Sequence, residues 1–398
     1  MRKALTFVAV IMLLAAAVPA PAAFTTLYCF GDGISTTTNN PSTGPLYYGK
    51  RYSNGRVWVE VLAQRQGLTY DPNKNWSYFF NSSTTMLASV TGFHAPPDAS
   101  NDLFVIWVNC ADLWFPAYYS GTSLSQWTND INQSQINYFK AATNLCGKGV
   151  RTLIMPNVVD LSTIPFFNTS VNAAFIHQQC LNYNIAFSNT VNQIRAACPN
   201  LTLYTPDFFA LLTNLLTHPA SYGVTNVLVQ GLSMDAVNAQ NYGYPPAATN
   251  GYGTNYIFWD QTDPTAKVHE IMADTVQQMI SPPQFNQITV LTGSNRLDLA
   301  NLPVGLNGSV LICTNFEPNN WVYALSDWMT NASFAAASPN QSVFVLTSVG
   351  GDKPNIIKGS SNPAIIANDT GPFPTNTVLP NMTLQLYRLS FPFAWSWP

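Results

Sequence analysis

Charge is scarce in this chain of 398 residues: only 9% are Asp, Glu, Lys or Arg, against roughly 25% in ordinary globular domains. Sixteen basic and nineteen acidic residues leave a net charge of −3. No basic stripe is available to neutralise phosphates, which argues against nucleic acid as a partner. Cysteine is sparse too. Six cysteines, Cys29, Cys110, Cys146, Cys180, Cys198 and Cys313, are too few to staple a chain of this length, and no CxxC or Cys/His spacing suggests zinc. Past the N-terminus, no apolar run is long enough to span a bilayer. Against these absences stand 47% hydrophobic and 13% aromatic residues, enough to bury a sizeable core and to exclude wholesale disorder.

The first 23 residues have the features of an export signal. Arg2 and Lys3 form a positive start, an apolar stretch runs from Ala4 to Ala17, and Ala20-Pro21-Ala22 is a small-residue cleavage site. The expected location is outside the cell or on its surface, an oxidising compartment, with no transmembrane segment left after cleavage. Asn-x-Ser/Thr sequons recur at Asn75, Asn81, Asn168, Asn200, Asn307, Asn331, Asn368 and Asn381. In so Asn- and Thr-rich a chain, chance supplies many of them, and they do not establish glycosylation. Cys29 and Cys110 lie in or beside apolar runs and read as small core hydrophobes. Cys180 and Cys198 fall on one expected helix, too far apart for a disulfide. Cys146 and Cys198 each end a helix before a strand and are the pair that neighbouring strands would bring together.

Short apolar runs alternate with helical patterns from Leu27 to about Ile280. Expected strands are Leu27–Phe30, Leu103–Val108, Val150–Met155 and Leu201–Thr205. Expected helices are Val57–Gln66, a segment from Leu124 to Leu145 stopped by Gly147, Asn172–Ala197, and Asp207–Thr217 capped by Asp207. This alternation implies an α/β fold, a parallel sheet covered by helices on both faces. At Ser281-Pro282-Pro283 the pattern changes to short β-type runs at Gln287–Leu291, Val310–Cys313, Gln341–Thr347 and Met382–Arg388, with a helix considered only at Val322–Trp328. The division expected is a signal at 1–23, an α/β domain at 24–281 and an all-β sandwich-like module at 284–398. The module ends in an aromatic tail, Phe391-Pro392-Phe393-Ala394-Trp395-Ser396-Trp397-Pro398, read as a packing strap, with sugar stacking or partner docking as its functional readings.

In an open parallel sheet, sites form beyond the carboxyl ends of the strands. Three segments there are informative: Phe30-Gly31-Asp32-Gly33-Ile34-Ser35, Val108-Asn109-Cys110-Ala111-Asp112-Leu113, and Trp259-Asp260-Gln261-Thr262-Asp263-Pro264-Thr265. FGDGIS resembles the Gly-Asp-Ser-Leu/Ile-Ser block of the GDSL, or SGNH, lipases and esterases. Tyr52–Ala63 is similar to that family's second block, with Gly55 as its glycine. Asn157–Asn168 and His218–Val227 are also similar to family segments, and WDQTDPT resembles Trp-Asp-x-x-His-Pro-Thr. Five blocks in order cover about residues 26–280. The resemblance implies an SGNH-hydrolase-like (flavodoxin-like) three-layer α/β/α sandwich and ester hydrolysis by a Ser-His-Asp arrangement, with no cofactor.

The departures from that pattern dominate the functional expectation. Aligned on the family blocks, the nucleophile falls on Gly33, the oxyanion-hole asparagine on Ala111 and the general-base histidine on Asp263; Asp260 alone is retained. Losing the nucleophile lowers kcat on the order of 10⁶-fold in a serine hydrolase, and losing an oxyanion donor costs about 10²–10³ more where effects are independent. Asp263 beside Asp260 sets two carboxyls together, which raises one pKa and relays no proton. Rescue candidates are few. Ser35 has a family counterpart and is expected to cap the next helix, and Asn109 shares a strand face with Ala111. Of the histidines His94, His177, His218 and His269, the last matches a helical family position and is expected to be structural. Asp32, Asp112, Asp260 and Asp263 are expected to converge at one rim, where Ca²⁺ or Mg²⁺ is weighed against simple turn and helix capping. The expectation is a secreted pseudo-hydrolase that binds a glycan, cell-surface or matrix partner. An esterase with relocated catalytic residues and a self-associating structural subunit are the alternatives.

Overall fold

A computed structural model describes residues 24–41, 46–119, 121–244, 253–291, 294–313, 332–335, 342–349, 353–357 and 386–391. The expected export signal, the helix at Val322–Trp328 and the tail beyond Phe391 lie outside the described residues.

Four short strands, β1 (Leu27–Gly31), β2 (Leu103–Trp107), β3 (Thr152–Ile154) and β4 (Thr202–Tyr204), lie parallel in that order. A parallel bridge from Cys29 to Asn75, with Trp76 N–H donating to Cys29 O at 2.8 Å, adds a position on the outer edge of β1. Numbered along the chain, the sheet therefore runs 2-1-3-4-5. The direction of winding reverses between β1 and β2, the switch point where open α/β sheets place their sites.

Among the described residues the α-helices are α1 (Trp58–Arg65), α2 (Ser83–Gly92), α3 (Asn109–Tyr118), α4 (Leu124–Gly147), α5 (Ala173–Ala197), α6 (Phe208–Thr217) and α7 (Ala266–Ile280). Helix α4 packs on both α2 and α5, and α1 packs on α7. Side-chain alternation along β2 shows that both faces are covered. Phe104 stacks on Tyr28 and meets Phe93 on one side; Trp107 meets Trp58 of α1 and Phe208 of α6 on the other. All five β2 residues are buried, as an uninterrupted apolar run requires.

The caps explain most boundaries. Asp207 accepts the Ala210 N–H and starts α6, Ser123 accepts the Gln126 N–H and starts α4, and Thr265 accepts the Val268 N–H and starts α7. Two expectations change. The α4 helix includes Gly147, and the left-handed residue that turns the chain is Gly149, at φ 94°. Ser35 caps no α-helix: it sits in a 3-10 turn, Gly33–Ser35, and accepts the Trp58 indole N–H at 3.0 Å. Cys146 and Cys198, at the ends of α4 and α5, are free thiols within hydrogen-bond reach of each other, and burial pushes the Cys198 thiol up to about 12.

Beyond α7 the described strands are antiparallel. Gln284–Leu291 (β7), Ser294–Ala300 (β8), Ser342–Val349 (β11) and Lys353–Ile357 (β12) form one sheet in the order β12-β11-β8-β7. Asn307–Cys313 (β9), Ala332–Ala335 (β10) and Leu386–Ser390 (β13) form another, with β9 in the middle. Between β4 and these groups of strands, the chain makes a small hairpin, Leu228–Val229 (β5) with Leu232–Ser233 (β6). The side chains that would show one large sheet facing the other lie outside the described residues.

One buried ion pair ties the α1–α7 layer. Arg65 Nε donates to Asp274 Oδ1 at 2.7 Å, and both side chains are almost wholly buried. Removing one partner of such a pair leaves a buried charge without its counterion. Asp274→Ala is expected to lower stability by about 3–5 kcal/mol in denaturant unfolding.

Candidate functional site

The site forms where β1 ends. Gly31 must be glycine: a Cβ there would lie 2.6 Å from Ser77 Oγ and 2.7 Å from Ser35 Cβ. Asp32 follows with its backbone N–H on Trp107 O, at 3.1 Å, which pins the turn to β2. Its side chain is 3% exposed. One carboxyl oxygen accepts the Ile34 N–H at 3.3 Å; the other, Oδ2, is buried and receives no hydrogen bond. Burial pushes this carboxyl up to about 7, and the like charge of Asp112 adds to the rise. The backbone N–H groups of Ile34 and Ala111 pull it down, but that of Ala111 is already given to Val108 O at 3.1 Å.

Gly33 lines a cleft of about 510 Å³, its open mouth included. Where a side chain would leave Gly33, the ring of Phe79 stands: an added Cβ would be 3.1 Å from Phe79 Cδ2. Phe79 stacks on Tyr52 with centroids 4.9 Å apart and lies 3.9 Å from the ring of Phe80. Phe80 takes a positive φ of 60°, rare for a bulky residue. Its packing against Trp114, at 5.0 Å, helps hold that conformation. Trp114 in turn stacks on Tyr118 at 4.8 Å. An aromatic wall thus stands tight against Gly33.

Asp263 enters the cleft from the loop before α7 and is buried. Burial comes first, and neighbouring Asp260 second, in holding its pKa well above the usual carboxylate range. The Thr262 hydroxyl donates to Asp263 Oδ2 at 2.7 Å. Asp260 accepts the N–H groups of Thr262 and Asp263 and the hydroxyl of Tyr47, the last at 2.8 Å. Asp260 thus stabilises its own turn, and Asp263 lies beside it with its pKa raised by burial.

The other expected site residues sort plainly. Ala111 lines the cleft and offers no side-chain donor. The side chain of Asn109 lies outside the described residues. Asp112 is not on the rim: it accepts the Ser83 N–H at the start of α2 and the Ser134 hydroxyl of α4, joining two helices. Gly55 is a packing residue, since a Cβ there would meet Ala266 Cβ at 2.6 Å. The convergence of four carboxylates is therefore corrected. Asp32 and Asp263 share the cleft while Asp112 and Asp260 turn to structural donors. Among the described residues no group of three or more His, Cys, Asp or Glu is placed to hold a metal.

No imidazole replaces the missing base. His269 is buried, accepts the Trp58 N–H on Nδ1, and is held down to about 3 by burial, hence neutral. His218 meets the hydroxyl of its neighbour Thr217 on an exposed turn, and His94 is exposed in a loop. His177 pairs with Asp160, Nδ1 to Oδ2 at 2.6 Å, and its ring neighbour is Phe209. Among the described residues, no hydroxyl is hydrogen-bonded to an imidazole in the cleft. Sequence reasoning missed the apolar lining: Phe79, Phe80, Trp114, Leu161 and Ile164. Leu161 and Ile164 sit inside a block already singled out, but nothing in the sequence joined Phe79 to Gly33.

The Asp32 carboxyl holds its proton more tightly in the fold than in the unfolded chain. Its contribution to stability is therefore full below about pH 4, falls as pH rises, and levels off above about 7. Asp32→Asn is expected to gain about 1–3 kcal/mol relative to wild type on going from pH 4 to pH 8 in denaturant unfolding. An unchanged difference between the two proteins across that range would contradict the assignment.

Residues 27–276 match the family model of GDSL-like lipases/acylhydrolases. A GDSL esterase/lipase of Arabidopsis thaliana is 23% identical over 261 residues, 61% of this chain and 72% of its own length. Among solved structures, a catalytic mutant of an acetylxylan esterase from Geobacillus stearothermophilus aligns at 13% identity with a TM-score of 0.38, over 65% of this chain and 94% of that one. An α/β-hydrolase enzyme from the metagenome of Lake Arreo aligns at 12% identity with a TM-score of 0.36, over 64% and 94%. With the family model spanning well over half of its length, this chain belongs to the GDSL-like lipase/acylhydrolase family.

Proposed function

We propose that this protein is an exported, non-catalytic member of its family that uses the cleft at the switch point to bind rather than to hydrolyse. The observation that carries the reading is the ring of Phe79 packed 3.1 Å from where a Gly33 side chain would begin. An ester hydrolase of this type needs a hydroxyl at that place and a base to take its proton. Here the first position has no side chain, and the second holds a buried carboxyl in place of an imidazole. Replacing Gly33 alone would not rebuild such a site, because Phe79 would have to give way and position 263 would still carry no imidazole. Export rests on the charged start, apolar stretch and small-residue site of residues 1–23. The antiparallel strands after α7 are read as a separate sandwich-like module, from about residue 284, suited to an adhesive or structural role outside the cell.

A chromogenic short-chain ester tests the central point. The full chain is expected to show no turnover above buffer, and turnover that a serine-directed phosphonate abolishes would overturn the reading. The variant Gly33→Ser/Ala111→Asn/Asp263→His is expected to stay silent. Adding Phe79→Ala, which frees the space beside residue 33, is expected to raise turnover above background.

A further inference from the structure

The cleft has an uneven chemistry. Its polar groups, the Asp32 and Asp263 carboxyls and the Thr262 hydroxyl, contrast with a lining that is otherwise apolar or aromatic, and no cationic side chain contributes to it. Asp32 Oδ2 is buried with no donor, a state that costs about 1–3 kcal/mol unless something supplies one. Beside the cleft lies an apolar cavity of about 440 Å³ that shares Ile34, Val159, Ile164 and Thr262 with it. Hydrocarbon thus adjoins a hydrogen-bond acceptor in search of a donor.

We infer that the cleft takes an organic ammonium ion with an apolar body, its N–H groups on Asp32 and its hydrocarbon against Phe79, Phe80 and Trp114. Three physical features select this class. A carboxylate acceptor and the negative faces of aromatic rings both favour a cation. Two carboxyls with no nearby cation disfavour a carboxylate or phosphate ligand. A sugar would bring many hydroxyls to a lining that offers few partners, leaving them unsatisfied. The inference rests on the binding reading above and names the ligand class for that same cleft.

The ammonium binds the ionised form of Asp32, so binding is linked to release of its proton. The groups facing Asp32 are Asp112 from α3, Asp263 from the loop before α7, Cys29 on β1 and Tyr138 from α4. None of them is a cation, so nothing on these elements compensates the charge in the empty cleft. With Asp32 titrating near 7, affinity is expected to tighten about tenfold between pH 6 and pH 8.

The test is calorimetric titration of the full chain with hexylammonium, hexanol, hexanoate and methyl xyloside at pH 6 and pH 8. Hexylammonium is expected to bind tightest, with that tenfold gain at the higher pH. Asp32→Asn is expected to weaken it at least tenfold and abolish the pH dependence. Trp114→Ala is expected to weaken it at both pH values while leaving the pH ratio intact, a second reading should Asp32→Asn fold poorly. Equal binding of hexanol, tighter binding of hexanoate, binding of the sugar alone, or no binding at all would each overturn the inference. Ester turnover is measured separately, so failure of the non-catalytic reading and failure of the ligand class are distinguishable.

Discussion

At the carboxyl end of β1 the backbone runs so close to its neighbours that side chains have no room. A Cβ on Gly31 would collide with Ser77 and Ser35, and one on Gly33 would press on Phe79. Between them, Asp32 is held by its own N–H on β2 and almost wholly buried at the base of the cleft. Much of the rest of the cleft follows from that tight turn. It fixes where the carboxyl points, denies it water, and leaves Oδ2 without a donor. The helices and strands around it supply the walls, but the turn sets the chemistry.

The loop before α7 places two carboxyls side by side with different partners. Asp260 keeps its turn, accepting two backbone N–H groups and the Tyr47 hydroxyl. A histidine three residues later would make that carboxylate the partner of an imidazole. Asp263 makes it instead the neighbour of a second acid, whose pKa burial and the Asp260 charge both raise.

The parallel sheet was legible because β2 and its neighbours are continuous apolar runs, α4 and α6 because of their periodicity and caps, and α5 because of its periodicity alone. Helix α2 was not. Its residues Ser83–Gly92 are rich in threonine and serine, weak helix formers, and part of its N-terminal capping comes from Asp112, far away in sequence. Helix α3 was hidden by Pro116 and by a reading of its first turn as site rather than helix. The expected meeting of four carboxylates failed for a similar reason. Strand ends place residues near one another, but backbone donors and hydroxyls on α2 and α4 turned Asp112 away.

By itself, the sequence determined the alternation of strands and helices, the family blocks, and the residue types at the three degenerate positions, because each is local or ordered along the chain. Only the tertiary structure decided that Phe79 stands against Gly33 and that Asp32 Oδ2 receives no hydrogen bond. It also decided that Asp112 and Asp260 serve the scaffold. These outcomes depend on contacts between segments dozens to hundreds of residues apart, and no local pattern encodes which side chain reaches a buried point first.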